Sequence, residues 1–146
     1  MSKSDSFESD LLKITFNATA IANIADNAAT SPLTNLFVSL HTADPGEAGN
    51  EGTSEATYTG YARVSVARTT GGWTISGTSP TQAANAATIT FGACTAGSNT
   101  ITHAAVGVAS SGATKILYSG PLTASLAVSA GITPSFAAGA LVFTED

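Results

Sequence analysis

Residues 36–50 read LFVSLHTADPGEAGN, and the alternation at the start of this stretch sets the periodicity of most of the chain. The apolar side chains at positions 36, 38 and 40 lie on one face of a strand, and those of Phe37, Ser39 and His41 lie on the other. From Asp44 the stretch becomes rich in acids, glycine and proline, which is typical of a turn. The pattern therefore predicts a β-strand that runs into a long exposed loop over residues 44–60.

The same stretch raises the question of catalysis, because Ser39, His41 and Asp44 have the residue types of a nucleophile, a base and an orienting acid. Ser39 and His41 share one face of the strand, but their backbones lie about 6–7 Å apart along it. The serine also lacks the sharp strand-to-helix elbow that exposes a nucleophile, and nothing marks the donors of an oxyanion hole. We therefore predict no catalytic residue and interpret His41 as a strand histidine beside a proline turn.

Alternating patterns continue through the rest of the chain. Residues 61–76 are predicted to form a hairpin with Arg63 on its outward face and a tight turn at Thr70-Gly71-Gly72. Further strands are predicted at residues 87–93, 99–109, 114–120, 125–130 and 139–145. Because no second helix is available for parallel crossovers, the sequence predicts a mainly β fold, an antiparallel β-sandwich that is jelly-roll-like.

The N-terminal segment has a helical period instead. Asp5 is a candidate N-cap with Glu8 three residues later, and the helix is expected to end near Asp26. Its apolar stripe must be buried, either on the sheets of the same chain or on another chain. We predict two parts, an amphipathic helix with a linker over residues 1–35 and a β-sandwich domain over residues 36–146. The predicted apolar stripe consists of Phe7, Leu11, Ile14, Ala18, Ile21 and Ala25.

The composition limits the possible partners. Charged residues make up 10% of the chain, against about 25% in an average soluble domain, while 27 Ala, 22 Thr, 17 Ser and 14 Gly account for 80 of the 146 residues. Five cations and a net charge of −5 leave no basic stripe for direct nucleic-acid binding. The chain has no apolar run long enough for a membrane helix and no signal-like N-terminus, so we expect no membrane partner and synthesis in the cytoplasm. The single cysteine, Cys94, is expected to be buried.

Other candidate sites are weak at the level of sequence. His41 and His103 can approach each other across strands, and Asp44, Glu47, Glu51 and Glu55 have calcium-ligand chemistry, but neither set has a recognised spacing. We therefore predict no metal and no cofactor. The aromatic side chains leave two alternatives open: either Trp73 fills the sandwich core and the tyrosines lie at strand ends, or the set forms a platform for a sugar. This aromatic set is Trp73, Tyr58, Tyr61 and Tyr118.

Taken together, these segments resemble a family of small structural proteins of tailed bacteriophages and prophages. The resemblance covers nearly the whole chain, and it implies a capsid cement or decoration protein, although members are often labelled as tail-fibre proteins. The matching segments are LLKITFNATAIANIADNAA, NLFVSLHTADPGEAG, YTGYARVSVAR, AATITFGAC, ITHAAVGVASSGATKILYSGPL and GITPSFAAGALVFTED.

The resemblance implies a virion protein on the capsid exterior that bridges subunits of the major capsid protein and associates with itself as a dimer or trimer. The alternative is a tail or fibre component that binds a host receptor glycan. Under either hypothesis the chain binds and does not catalyse. The helix stripe and the acidic loop are then the expected interface, with Phe7, Leu11, Ile14, Ile21, Asp44, Glu47, Glu51 and Tyr58 as its candidate residues.

Overall fold

The computed structural model describes residues 5–20, 33–78 and 80–145 of the chain. In this part of the protein there is one helix, α1 (Asp5–Asn17), and nine strands, which pair into sheets of the orders β2-β1-β6-β7, β3-β4-β9 and β5-β8. The predicted class is therefore confirmed as mainly β, with antiparallel sheets and one short N-terminal helix, and is consistent with a β-sandwich. The strands are β1 (Asn35–His41), β2 (Val64–Ala67), β3 (Trp73–Ser76), β4 (Thr81–Asn85), β5 (Ile89–Thr90), β6 (Asn99–Gly107), β7 (Ile116–Val128), β8 (Ser135–Phe136) and β9 (Val142–Glu145).

The chain divides into two compact units that do not follow the order of the sequence. The first unit combines the N-terminal residues up to Asn35 with Ala67–Ile89 and the chain from Phe136 onward. The second unit consists of Leu36–Val66 and Thr90–Ser135. The predicted division into residues 1–35 and 36–146 stays a prediction.

In the first unit, α1 packs on the sheet β3-β4-β9 through an aromatic core. Leu12 and Phe16 are fully buried on the helix, and the Phe16 ring lies 4.6 Å from that of Trp73 and 5.7 Å from that of Phe143. Ala83 lies opposite Phe143 in the sheet and is also fully buried, and its small side chain leaves room for these rings. Trp73 is thus a core residue, and the helix is buried on its own chain.

The helix is shorter than predicted and turns a different face inward. It ends at Asn17 because Ala18 adopts a left-handed backbone conformation with φ of 53°, and the N–H of Thr19 then donates to the carbonyl of Lys13. Leu11 and Ile14 of the predicted stripe are half-buried, whereas the fully buried Leu12 and Phe16 were not in it. Ile21 and Ala25 lie outside the described residues.

Arg68 caps the C-terminal end of this helix. Its Nε donates to the carbonyl of Thr15 at 2.5 Å, its Nη2 donates to that of Ile14, and its Nη1 donates to that of Leu33 at 3.2 Å. The last carbonyls of a helix have no partner within the helix and carry partial negative charge, so a guanidinium satisfies both needs. The last turn of α1 contains no basic residue of its own, and a distant residue supplies the charge instead.

In the second unit, β1 and β6 form the centre of the four-stranded sheet, with Val38 opposite Val106 and His41 opposite His103. The predicted strand at 36–41 and the strand at 99–109 are confirmed by β1 and β6. The predicted strands at 114–120 and 125–130 are one strand, β7, whose register with β6 shifts between Ile101 and His103.

The predicted hairpin at 61–76 is wrong. β2 belongs to the four-stranded sheet and β3 to the three-stranded sheet, where it pairs with β4. The N–H groups of Gly72 and Trp73 both donate to the carbonyl of Thr69, so the segment between the strands is a compact turn that redirects the chain rather than a hairpin loop. β4 was missed because its sequence, TQAAN, has small and polar residues at positions that are buried in the fold.

Candidate functional site

The acidic segment that follows β1 folds back onto the sheet of the second unit. Glu51, Ala56 and Tyr58 are buried, with Glu51 fully inaccessible to solvent, so the prediction of a solvated loop over 44–60 is wrong at these positions. Asp44 and Glu47 are exposed. The Asp44 carboxylate accepts a hydrogen bond from the N–H of Gly46 at 2.9 Å, which fixes a tight turn at the tip.

A buried ion-pair cluster, formed by Arg63, Glu51, Glu55 and Thr114, holds this segment in place. Arg63 binds Glu55 with two parallel hydrogen bonds, from Nε to Oε1 at 2.7 Å and from Nη2 to Oε2 at 2.8 Å. Its Nη1 lies 3.2 Å from Oε2 of Glu51. The side chain of Arg63 is only 2% exposed, so its predicted outward orientation is wrong.

The remaining donors of Arg63 are used by the turn that precedes β7. Nη1 donates to the carbonyl of Ala109 at 3.0 Å, and Nη2 donates to that of Gly112 at 2.7 Å. Hydrogen bonds to Glu55, and then the nearby carboxylate charges, raise the pKa of the Arg63 guanidinium above its ordinary value against the opposing effect of burial. One side chain therefore ties the acidic segment to the 109–114 turn.

The Glu51 carboxylate packs between the Thr114 hydroxyl and the backbone of Gly107. Thr114 Oγ1 donates to Oε2 of Glu51, and the N–H of Glu51 donates to the carbonyl of Thr114 at 2.8 Å. A Cβ on Gly107 would lie 2.1 Å from the Glu51 carboxyl carbon, so this position accepts only glycine while Glu51 is in place. Oε1 of Glu51 is buried without a hydrogen-bond partner.

Tyr61 connects the cluster to the central strand. Its hydroxyl donates to Oε1 of Glu55 at 2.9 Å and accepts from the N–H of Leu40 at 3.1 Å. Burial, the largest effect, raises the pKa of Tyr61 well above its ordinary value, and the Glu55 charge adds to that shift. The hydroxyl therefore keeps its proton and donates to the Glu55 carboxylate, which it helps to hold in position.

Ser39 and His41 contact each other inside the second unit. Ser39 Oγ lies 2.9 Å from Nε2 of His41, and Nδ1 of His41 lies 2.8 Å from the carbonyl of Thr53. Because a carbonyl only accepts, Nδ1 carries the proton and Nε2 accepts from the serine hydroxyl. Burial lowers the pKa of His41, in agreement with a neutral ring. Both side chains are fully buried, whereas Asp44, the third residue of the sequence-level triad, is exposed.

The candidate metal ligands are engaged in other interactions. His41 and His103 lie opposite each other on β1 and β6, as the sequence allowed, but both ring nitrogens of His41 have partners and Nδ1 of His103 lies 2.9 Å from Thr102 Oγ1. Glu51 and Glu55 face Arg63. Among the residues that the structure describes, no three His, Cys, Asp or Glu side chains converge as a metal site.

Of the four aromatic residues that the sequence singled out, Trp73 and Tyr58 are buried, and Tyr61 and Tyr118 are half-buried. Trp73 is buried in the first unit, and Tyr58 is buried in the second, where its hydroxyl donates to the carbonyl of Gly92 at 3.0 Å. The ring of Tyr61 lies 5.4 Å from that of Tyr58 and 6.3 Å from that of Phe91. Trp73 is a core residue, as predicted, and Tyr58 is also buried, although the sequence indicated a strand end for it. Cys94 is buried, as predicted.

The predicted interface residues fall into four groups: exposed, half-buried, buried and outside the description. Asp44 and Glu47 are exposed at the tip of the acidic segment, and Leu11 and Ile14 are half-buried on α1. Glu51 and Tyr58 are buried inside the second unit. Phe7 lies in α1, but the structure does not describe its side chain, and Ile21 lies outside the described residues. The interface itself stays a prediction.

Sequence reasoning missed the ion-pair cluster, although it noted every member of it except Thr114. The available signal was one arginine, in a predicted strand, that follows two spaced glutamates in a chain with very few charges. Buried charged side chains are rarely left without a partner of opposite charge. In a chain with so few charged residues, an arginine and two nearby glutamates are therefore expected to pair with one another. The described part of the chain contains no helix that is long and apolar enough to span a membrane.

A family model described as podophage GP4 fiber I protein gp80 matches residues 2–144 of this chain. No curated protein matches it. The match spans both structural units, so it concerns the whole fold and not one segment of it.

Proposed function

Because this chain belongs to the family of the podophage GP4 fiber I protein gp80, a family of phage structural proteins, we propose that it is a structural subunit of a podophage fibre. The match over residues 2–144 is the observation that carries the proposal. The role is to bind neighbouring proteins in the virion and to present a rigid surface, with no chemical step and no cofactor.

The buried cluster supports a role in binding. A long segment that protrudes from a sheet loses conformational entropy when it binds, and this loss weakens binding unless the segment is ordered beforehand. Arg63, Glu51 and Glu55 hold the acidic segment to the sheet, so Asp44 and Glu47 are presented on an ordered tip. We expect this tip to contact a basic patch of a neighbouring virion protein.

The surface composition also fits a protein that works inside an assembly. Ala, Thr, Ser and Gly lose little side-chain entropy on burial, and a low content of charge reduces the cost of desolvation. The Ser39–His41 pair is buried, which favours a binding role over a hydrolase. Because Trp73 and Tyr58 are buried, a fibre that recognises a host glycan would have to use other residues for it.

A capsid cement protein is the second candidate. It is favoured by the same small, weakly charged surface, because a clamp on the head lattice repeats many small contacts and gains from effective concentration. Its partner would be the major capsid protein, and its location would be the capsid exterior. The fibre role has the additional support of the family description.

Labelling and counting of the protein on virions separates the two candidates. We expect antibody labelling of purified particles to mark fibres, and quantitative mass spectrometry to give a copy number well below that of the coat protein. A copy number comparable to the coat protein, with label over the whole head, would support the cement role and end the fibre proposal. Absence from purified virions would contradict both candidates.

A further inference from the structure

The acidic segment, residues 44–60, returns to the end of β1 at His41. The backbone of Glu55 forms an isolated antiparallel bridge with that of His41, and beside this bridge the N–H of Thr42 donates to the carbonyl of Ser54 at 2.8 Å. An isolated bridge supplies fewer backbone hydrogen bonds than a full ladder of strands, so such a segment opens at a lower free energy than the sheet itself. Side-chain contacts at the return point therefore decide how firmly the segment is closed.

The side chain of His41 is fully buried at this return point and fastens it. Its Nδ1 donates to the carbonyl of Thr53 at 2.8 Å, and its Nε2 accepts from the hydroxyl of Ser39 at 2.9 Å. The first bond needs a proton on Nδ1, and the second needs a lone pair on Nε2. Only the neutral ring makes both bonds, and both of these partners are uncharged.

The charged and titratable groups around His41 act on its protonation in opposite directions. Burial is the largest effect and lowers the pKa of the His41 ring, as does the Arg63 charge, whereas the carboxylates of Glu55 and Glu51 raise it by less. Both oxygens of Glu55 are already bound by Arg63, so this carboxylate has limited freedom to turn toward the ring. The groups that face His41 are Glu51 and Glu55 of the acidic segment, Tyr61 and Arg63 before β2, and His103 opposite it on β6.

We propose that His41 is an acid-sensitive latch, and that protonation of its ring releases the acidic segment together with the tip that carries Asp44 and Glu47. The inference rests on the binding role proposed for this tip and adds a regulation to it. If the protonated ring stayed in place, Nε2 would become a donor, and the buried Ser39 hydroxyl would have to accept from it and lose its present acceptor. Water hydrates the charged ring outside the fold, so the proton favours the released state.

The direction of the pH dependence follows from this difference in proton affinity. The released ring titrates near the ordinary pKa of a histidine, about 6.5, and the closed ring titrates at a lower pH. The closed segment is therefore favoured most above about pH 6.5 and becomes less stable as the pH falls. Each pH unit below the released pKa changes the opening equilibrium by at most about tenfold, which gives at most about twentyfold between pH 7 and pH 5.

Hydrogen exchange of the full chain at pH 7 and pH 5, corrected for the intrinsic pH dependence of exchange, tests the latch. The amide of Thr42 should exchange up to about twentyfold faster at pH 5, while the amides of β4 in the first unit should not change. His41→Asn keeps an N–H donor near the position of Nδ1 but does not titrate, so its acidic segment should exchange alike at both pH values. His103→Asn is the matched control, because it removes the imidazole opposite His41 and should respond to acid as the wild type does.

Nuclear magnetic resonance of the His41 ring gives a readout that needs no variant, and it decides the question if His41→Asn does not fold. The ring should carry its proton on Nδ1 at pH 7, and its protonation should have the same midpoint as the loosening of the segment. A ring that stays neutral while the segment loosens would assign the effect to other groups and overturn the proposal.

Four results of the exchange experiment also overturn the latch. These are a wild-type segment that exchanges alike at pH 7 and pH 5, acid loosening that persists in His41→Asn, loss of the acid response in His103→Asn, and equal acceleration of the β4 amides, which would indicate unfolding of the whole chain. All of these measurements use the isolated protein. Failure of the latch is therefore distinguishable from failure of the binding role, which virion labelling tests.

Discussion

Arg63 and Arg68 are five positions apart in the sequence, yet they stabilise different units by different chemistry. Arg63 is buried and binds two carboxylates, one of them with two parallel hydrogen bonds. Arg68 is half-buried and donates to backbone carbonyls, those of Ile14 and Thr15 at the end of α1 and that of Leu33. The pKa of Arg63 is raised, chiefly by its hydrogen bonds to Glu55, whereas burial lowers the pKa of Arg68.

The difference shows what each arginine contributes. At Arg63 the protein has removed two charges, those of Arg63 and Glu51, from water and has partly removed a third, that of Glu55, so loss of the arginine leaves poorly solvated carboxylates without a cation. At Arg68 a single guanidinium donates hydrogen bonds to backbone carbonyls, and water can partly replace these bonds when the side chain is removed. We therefore expect the second unit to be sensitive to the loss of its arginine and the first unit to be tolerant.

The largest effect is expected for Arg63→Met. The substitution keeps an unbranched side chain but leaves Glu51 and Glu55 without their cation in a buried site, which should cost about 3–5 kcal/mol in the free energy of unfolding. Urea denaturation followed by circular dichroism measures this quantity. Adding Glu51→Gln to the variant should recover part of the loss, because one uncompensated charge is removed. A loss below about 1 kcal/mol would show that the cluster contributes no more than a surface ion pair.

A smaller effect is expected for Gly107→Ala, which tests the packing of the same cluster. The added methyl group would lie 2.1 Å from the Glu51 carboxyl carbon, so the carboxylate must move away from Thr114 and Arg63. Overpacking of this kind costs about 1–3 kcal/mol. Gly120→Ala is the matched control, since a Cβ there meets no atom within 4 Å. Equal effects of the two substitutions on the unfolding midpoint would contradict the role given to Gly107.

Some elements of this fold could be predicted from the sequence, and others could not. The alternation from Leu36 onward predicts a mainly β fold, and the strands at β1 and β6 follow from it, because side chains of a half-buried strand alternate between two environments. β4 has no such signal, since its buried positions are filled by Ala83, Thr81 and Asn85. The end of α1 was also predicted wrongly. Alanine is a strong helix former, so the sequence does not indicate that Ala18 adopts the left-handed conformation that ends the helix.

The site could be predicted less well than the fold. In the sequence, Arg63 lies between the apolar residues Ala62 and Val64, and this alternation favours an outward position for the charged side chain. Its partners come from positions 51 and 55 before it and from the 109–114 turn after it, and no local pattern connects these segments. The burial of these charges therefore depends on contacts between segments that are distant in the sequence, whereas the strands follow from local periodicity.

For Arg68→Met we expect a loss of about 1–2 kcal/mol, because the carbonyls of Ile14, Thr15 and Leu33 lose their donor but remain close to solvent. Arg68→Lys keeps a cation near the end of the helix and should recover about 0.3–1 kcal/mol. The measurement is the same urea titration. If Arg68→Met destabilised the protein as much as Arg63→Met, the contrast between the two arginines would be wrong.

The smallest effect is expected for Ala18→Gly, and its sign is opposite to the others. Ala18 has φ of 53°, a conformation that costs an L-residue roughly 1–2 kcal/mol and that glycine adopts without strain. Glycine also makes the unfolded chain more flexible, so the net stabilisation should be about 0.5–1 kcal/mol. Ala20→Gly, two residues further on and outside the left-handed region, carries the entropy term without the relief of strain and should be neutral or destabilising. If both substitutions destabilised the protein equally, the capping geometry would not limit its stability, and Arg68 would be the dominant interaction at this end of the helix.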